Sequence, residues 1–354
     1  MNTVFDIRTY GAAGDGVTDD TEAIRAALAD ASLCRGTVVA PPGKYVTGKL
    51  KMGPGVRLEG RSAWSFRSFG ASEFLLRDGE DDCMIDITGA FGASIAGMSL
   101  NGRNLGKNVH GVKLYWEKYN GGSEEDTPTL DDCRIGDFTG DGVHLEHIWC
   151  FSVRHCMLCH NGGAGLFMDG WDGFILDNWL SGNRKYGLYA SPCGASVTAT
   201  GNRVEWNRAA GFCVTGGDSW NITGNFFDRS FGPALRFSNV RDCAVTGNVF
   251  RRSGKPEWVE FTSPYDSSQI FLTDCTNVTV TGNTFAIGRD DGGKGIWSPD
   301  YGAVLVGCRQ SVFASNAMHR GSLKENIIAE NCTDTEITGN TGTPAGEMNG
   351  YVFH

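Results

Sequence analysis

The chain has 354 residues, 31 Lys and Arg against 41 Asp and Glu, a net charge of −10 at pH 7, and 50 glycines. The acidic balance argues against nucleic acid as a partner, and no apolar run reaches membrane-spanning length. Met1-Asn2-Thr3 does not open a secretory signal, and 20% charged with 40% hydrophobic residues is the make-up of an ordinary soluble protein.

Residues Phe5 to Leu28 read as a strand, a glycine turn at Gly14-Asp15-Gly16 and an amphipathic helix with Ala23, Ile24, Ala27 and Leu28 on its apolar face. Asp19 or Asp20 is the expected cap, with Glu22 completing a capping box. A helix here would plug the open end of a stacked repeat. Turns and caps account for Asp15, Asp19 and Asp20 without calcium. Val38 to Tyr45 reads as the first rung, residues 46–90 are less regular, and regular coils are expected from about Ile95. Inserts are expected at 102–110, 116–129, 251–268 and 286–301, all bordering one face.

The dominant feature is a phrase, Val245-Thr246-Gly247-Asn248-Val249-Phe250, with variants centred on Asn178, Asn202, Asn225, Asn283, Asn316 and Asn340. Asp132 and His155 are expected in the same slot. Steps from 132 to 155, 178, 202, 225 and 248 are 23, 23, 24, 23 and 23 residues. A fixed period of this size marks a repeat architecture. Each repeat carries three short runs of period-2 alternation rich in Val, Thr, Phe and Gly, which predicts three strands of three to five residues per coil and rungs about 4.8 Å apart. The fold class is all-β, a parallel β-helix of about ten or more coils with an N-terminal capping α-helix. It is expected as one domain, 1–354: cap 1–36, coils 37–340 and tail 341–354. The ladder asparagines are expected to pair their amides between coils and to accept the left-handed bend.

Twelve cysteines look like a disulfide framework, but Cys133 and Cys156 are one period apart. Cys275, Cys308 and Cys332 each stand eight residues before a ladder Asn. They read as reduced core side chains in columns, not disulfides or metal ligands, and favour a reducing, cytoplasmic location; an extracellular one would follow if a leader had been trimmed.

The N-terminal stretch, Val38–Tyr45 and the repeats resemble the pectate-lyase-like superfamily of right-handed β-helix proteins. That group holds polygalacturonase-type glycoside hydrolases, polysaccharide lyases, epimerases and tailspikes. The resemblance implies an oligo- or polysaccharide ligand and is compatible with a homotrimer. Asn248-Val249-Phe250-Arg251-Arg252 is also similar to inulin fructotransferases. The polygalacturonase signatures and the epimerase motif Tyr-Gly-Phe-Asp-Pro-His are absent.

Strict alternation in the third run points Lys113, Tyr115, His144, Glu146, Phe167 and Asp169 outward, followed on later rungs by Tyr189, Cys213, Arg236 and Phe271. Glu146 and Asp169 fall in one slot on adjacent rungs, so their carboxylates are expected on the order of 5 Å apart, the arrangement that glycosidic cleavage uses. His144 would orient the pair. Lys113 and Arg236 would bind substrate, with Tyr115, Trp116, Trp171, Asp172, Tyr189, Trp258, Asp290, Asp291 and Trp297 lining the cleft. Glu205 and Asp228 form a rival stacked pair. The reading is a glycoside hydrolase-like enzyme, with a uronate lyase or fructotransferase-like enzyme as alternatives and a non-catalytic glycan-binding spike as a third. No cofactor or metal is expected unless a lyase recruits Ca2+.

Overall fold

A computed structural model describes residues 3–119, 124–254, 263–289 and 296–346. Apart from the helix Thr21–Ser32 and two short 3-10 turns, its regular elements are strands, nearly all of them paired in parallel. The chain divides into two compact units, 1–179 and 180–354.

In the first unit the coil has three faces. One runs Val4–Asp6, Thr37–Val39, Arg57–Glu59, Ser94–Ala96, Thr129–Asp131 and on to Ser152 to Arg154. The second runs Asp15–Asp19, Gly43–Thr47, Ser72–Leu76, Ser99–Asn101, Arg134–Gly136 and Met157–Cys159. The third runs Leu50–Lys51, Cys83–Asp86, His110–Tyr115 and then residues 143–146 and 166–169. Rung pairing therefore starts at Val4, ahead of the first rung expected at Val38, and is continuous through the stretch expected to be less regular. Residues 46–90 hide the coils because their coil lengths vary while the backbone pairing does not.

The expectation of three short strands per coil fails where the third and first runs fuse. Val143–Arg154 and Leu166–Leu176 each run unbroken across two faces. The bend inside the first is made by His147 and Cys150 in left-handed conformations, with a register shift between Glu146 and Ile148. Trp149 and Trp171 thus lie within long strands. On the preceding coil the same two faces are separate strands, His110–Tyr115 and Thr129–Asp131, and the 116–128 insert leaves from between them.

The helix buries Thr21, Ile24, Ala27, Leu28 and Ala31. The capping box is not formed. Asp20 occupies the N-cap without a side-chain cap bond; its carboxylate accepts instead from the N–H groups of Ala13 and Gly14 at 2.6 and 3.2 Å. Asp15 accepts from the N–H groups of Val17 and Thr18 and from the Thr18 hydroxyl, all at 2.8 Å. The Thr18 N–H foremost, these donors pull its pKa down to about 2.

In the second unit the asparagine ladder is continuous. Nδ2 of Asn202, Asn225, Asn248, Asn283 and Asn316 each donates to Oδ1 of the next ladder Asn at 2.9–3.0 Å, and each backbone N–H joins the same oxygen. Beside it Phe227, Phe250 and Phe285 stack at 5.0 and 5.1 Å between centroids. Two expectations about the corner change. The left-handed residue is the glycine before the Asn (Gly224, Gly247, Gly282), not the Asn. In the first unit the Asn slot belongs to Cys133 and Cys156, which precede the paired strands at Arg134 and Met157; the Cys156 N–H donates to Asn178 Oδ1 at 2.9 Å. Asp132 and His155 take the left-handed position instead, because the period from Cys156 to Asn178 is one residue short.

All twelve cysteines are free and eight are buried. Burial pushes the thiols of Cys159 and Cys213 up to about 11 and that of Cys243 up to about 12, so these behave as small apolar side chains.

Replacing Asn248, 1% exposed, by Ala strands the Asn225 donors and the Ile222 carbonyl. The expected loss is about 3 kcal/mol in urea denaturation, against less than about 0.5 kcal/mol for the surface change Asn221→Ala.

Candidate active site

The site is built on the third face of the first unit. Register pairs Lys113 with His144 and His144 with Phe167, and Tyr115 with Glu146 and Glu146 with Asp169. Glu146 and Asp169 therefore share one slot on adjacent rungs, as the spacing predicts. Their surroundings differ sharply. Glu146 keeps 32% of its side chain exposed, whereas Asp169 is only 2% exposed.

What covers Asp169 is Tyr119, from the start of the insert. Tyr119 donates its hydroxyl to Asp169 Oδ1 at 2.8 Å, and its ring lies 4.5 Å from both His147 and Trp171. His147 Nε2 lies 3.4 Å from Asp169 Oδ2, and its Nδ1 faces the Trp116 carbonyl at 2.6 Å. The insert is anchored by Asp126, which accepts from Trp116 Nε1 at 3.0 Å and from the Trp149 N–H at 2.9 Å. Burial raises the Asp126 pKa against these two donors. Asp172 accepts from Trp149 Nε1 at 3.0 Å. Trp116, through Asp126, and Trp171, against the Tyr119 ring, pack the insert on the sheet, while Asp172 braces Trp149 within the sheet; the sequence expected all three to line the cleft.

The other carboxylate is wired differently. His144 Nε2 faces Glu146 Oε2 at 3.1 Å, and its Nδ1 faces Asp141 Oδ2 at 2.8 Å. Burial alone would raise the Asp141 pKa, but the imidazoles of His110 and His144 outweigh it and hold this carboxyl well below the usual range. Lys113 is not a free cation: its Nζ lies 2.9 Å from Asp82, which also takes Lys49 at 2.7 Å. Burial opposes ionisation of Asp82, but the two lysines override it and depress its pKa strongly. Tyr115 is exposed on the same slot, under the Lys113 ammonium at 5.1 Å.

Tyr189 and Arg236 belong to the second unit. Tyr189 stacks on Tyr186 at 4.6 Å, and Arg236 is tied to Asp266 at 2.6 Å. Trp258, Asp290 and Asp291 lie outside the described residues, and Trp297 is described by its backbone alone. The rival pair does not open to solvent. Glu205 and Asp228 are 4% and 1% exposed, Glu205 faces Arg203 at 3.0 Å, and Asp228 is gripped by Arg229 and Arg252.

Sequence reasoning missed Asp141, His110, His147 and Tyr119. Tyr119 sits in an insert with no periodicity, and Asp141 and His110 precede or open their strands. His147 breaks the alternation by occupying the bend. Among the described residues, His110, Asp141 and His144 bring ligand atoms within 4.8 Å of one another. These atoms are already used internally, since the Asp141 N–H donates to His110 Nδ1 at 2.9 Å and His144 Nδ1 faces Asp141. The set is joined by hydrogen bonds into a relay.

Residues 141–297 and 192–343 match the family model described as "Right handed beta helix region", together more than half of the chain. The chain belongs to this right-handed β-helix family. It is 28% identical over 235 residues to the mannuronan C5-epimerase AlgE2 of Azotobacter vinelandii, covering 61% of this chain and 23% of that protein. The chain spans less than a quarter of the length of the curated relatives it matches. In three dimensions it is similar to the A-module of the A. vinelandii mannuronan C-5 epimerase AlgE6, at a TM-score of 0.66 and 19% identity over 95% of this chain and 99% of that one. It is equally similar to the catalytic unit of a GH87 α-1,3-glucanase from Streptomyces thermodiastaticus, at 0.66 and 18% over 99% and 71%. At these identities the structural likenesses establish the fold.

Because the Asp141 pKa is depressed on folding, its ionised form stabilises the protein above the unfolded value of about 3.9, and this is lost as pH falls further. The stability gap between wild type and Asp141→Asn should be fully present above about pH 5 and shrink steadily below about pH 4, measured by urea denaturation across pH.

Proposed function

We propose that this chain is a carbohydrate-active enzyme that cleaves or transfers glycosyl groups by general acid–base catalysis on the Glu146 face. The observation that carries this reading is the pair of proton-handling assemblies on adjacent rungs: Glu146 with His144, and Asp169 with Tyr119 and His147. Glycosidic cleavage needs one group to protonate the departing oxygen and another to activate water or attack carbon from the other side. Glu146, exposed and hydrogen-bonded to His144, suits the first role. For the second, the half-buried Tyr119 stands between Asp169 and the cleft, with Asp169 accepting from its hydroxyl. Asp169 acts through the phenol rather than on the sugar directly.

Charge supports a neutral glycan. The two lysines beside the site, Lys49 and Lys113, are neutralised by Asp82 and Asp86. The Asp141 and Asp169 carboxylates add negative charge, so a polyuronate would meet repulsion.

A second reading, proton abstraction from a uronate followed by epimerisation or elimination, is favoured by the Tyr119–Asp169–His147 assembly and by the similarity to mannuronan C5-epimerases. It needs a cation for the sugar carboxylate, which Ca2+ would have to supply.

Incubating the protein with neutral and uronate oligosaccharides, with and without EDTA, distinguishes these. New reducing ends or transfer products from a neutral glycan are expected. An ultraviolet-absorbing unsaturated uronate or a changed epimer ratio would support the second reading, and binding without turnover would sink both. On the active substrate, Glu146→Gln and Tyr119→Phe should each lower kcat by about 10²–10⁴-fold.

A further inference from the structure

We propose that Asp141 is the positioning residue of the site, locking His144 in its Nδ1–H tautomer so that Nε2 and Glu146 share one proton. This rests on Glu146 being the acid of the proposed reaction. His144 lies between two carboxylates, with Nδ1 2.8 Å from Asp141 Oδ2 and Nε2 3.1 Å from Glu146 Oε2. A neutral imidazole has one N–H. Since Asp141 is held ionised, it accepts that N–H, and the Nε2–Glu146 contact then needs a further proton, on Nε2 or on the carboxyl. Either way an acidic proton stands at the exposed end of the relay, where a leaving oxygen would take it.

Asp141 is itself fixed from two further directions. Its Oδ1 accepts the Ala164 N–H of the next coil at 2.6 Å, and its own N–H donates to His110 Nδ1 at 2.9 Å. The His144 ring is clamped between His110, 4.3 Å away, and Phe167, stacked at 4.5 Å and 16°. Two glycines make the room. A Cβ on Gly163 would stand 2.1 Å from Asp141 Oδ1, and one on Gly140 2.9 Å from His110 Nδ1. Lys113, the register neighbour of His144, is held by Asp82 and does not compete.

The arrangement is that of an acid–imidazole pair whose far carboxylate sets the tautomer. Replacing such a carboxylate by its amide offers an N–H to Nδ1, forces the wrong tautomer, and in the serine-protease triad lowers kcat by about 10⁴-fold.

The test is 15N NMR of the histidines together with kinetics. Wild type should give His144 as Nδ1–H, and Glu146→Gln should leave that tautomer in place, because Asp141 and not Glu146 sets it. Asp141→Asn should move the proton to Nε2 and lower kcat by about 10²–10⁴-fold with KM changed less than about threefold. An Nε2–H tautomer in wild type, a tautomer that flips in Glu146→Gln, or an Asp141→Asn variant with unchanged kcat each overturns the proposal. If Asp141→Asn does not fold, wild type and Glu146→Gln decide. If no glycan is turned over, the functional reading fails while the tautomer still decides this one.

Discussion

Everything in this protein depends on parallel backbone pairing between successive coils. Strands lie about 4.8 Å apart in such a stack, so residues in register on adjacent rungs stand side by side. The ladder, the phenylalanine stack and the candidate site all result from that one constraint. On the inside it is met by groups that repeat without penalty. An Asn amide donates upward and accepts from below, and a Phe ring lies flat on its neighbour. On the outside the same spacing places carboxylates over one another, a costly arrangement that needs protons or donors nearby to make it tolerable.

The site shows how that cost is met. Glu146 and Asp169 are not a bare pair: each has its own histidine, and Asp169 also has a phenol. Both partners come from departures from regularity. His147 is available because the fused strand bends there through a left-handed residue. Tyr119 is available because the preceding coil splits the same two faces and lets an insert leave between them. The chemistry is concentrated where the repeat is broken.

The fold was legible in the sequence to the level of the column. The alternation of Val143, Leu145, Leu166 and Met168 pointed their neighbours outward, and the register agrees, Lys113 over His144 and Glu146 over Asp169. The ladder was misread by one residue in the first unit because glycine, aspartate and histidine all fill the left-handed corner there. A count anchored on those residues slips off the buried slot held by Cys133 and Cys156. The early coils are less regular in the sequence because their lengths vary between residues 37 and 94.

The sequence alone determined which residues of the third run share a column, since there a period of 23 residues combined with two-residue alternation fixes Glu146 over Asp169 and His144 beside Phe167. It also determined that the cysteines stack rather than bridge, for the same reason. Only the tertiary structure decided which column members meet solvent and what they touch. Burial of Asp169 under Tyr119, neutralisation of Lys113 by Asp82, and the setting of His144 by Asp141 all depend on inserts and strand ends. There side-chain direction follows from local bends and long-range contacts, and periodicity carries no information.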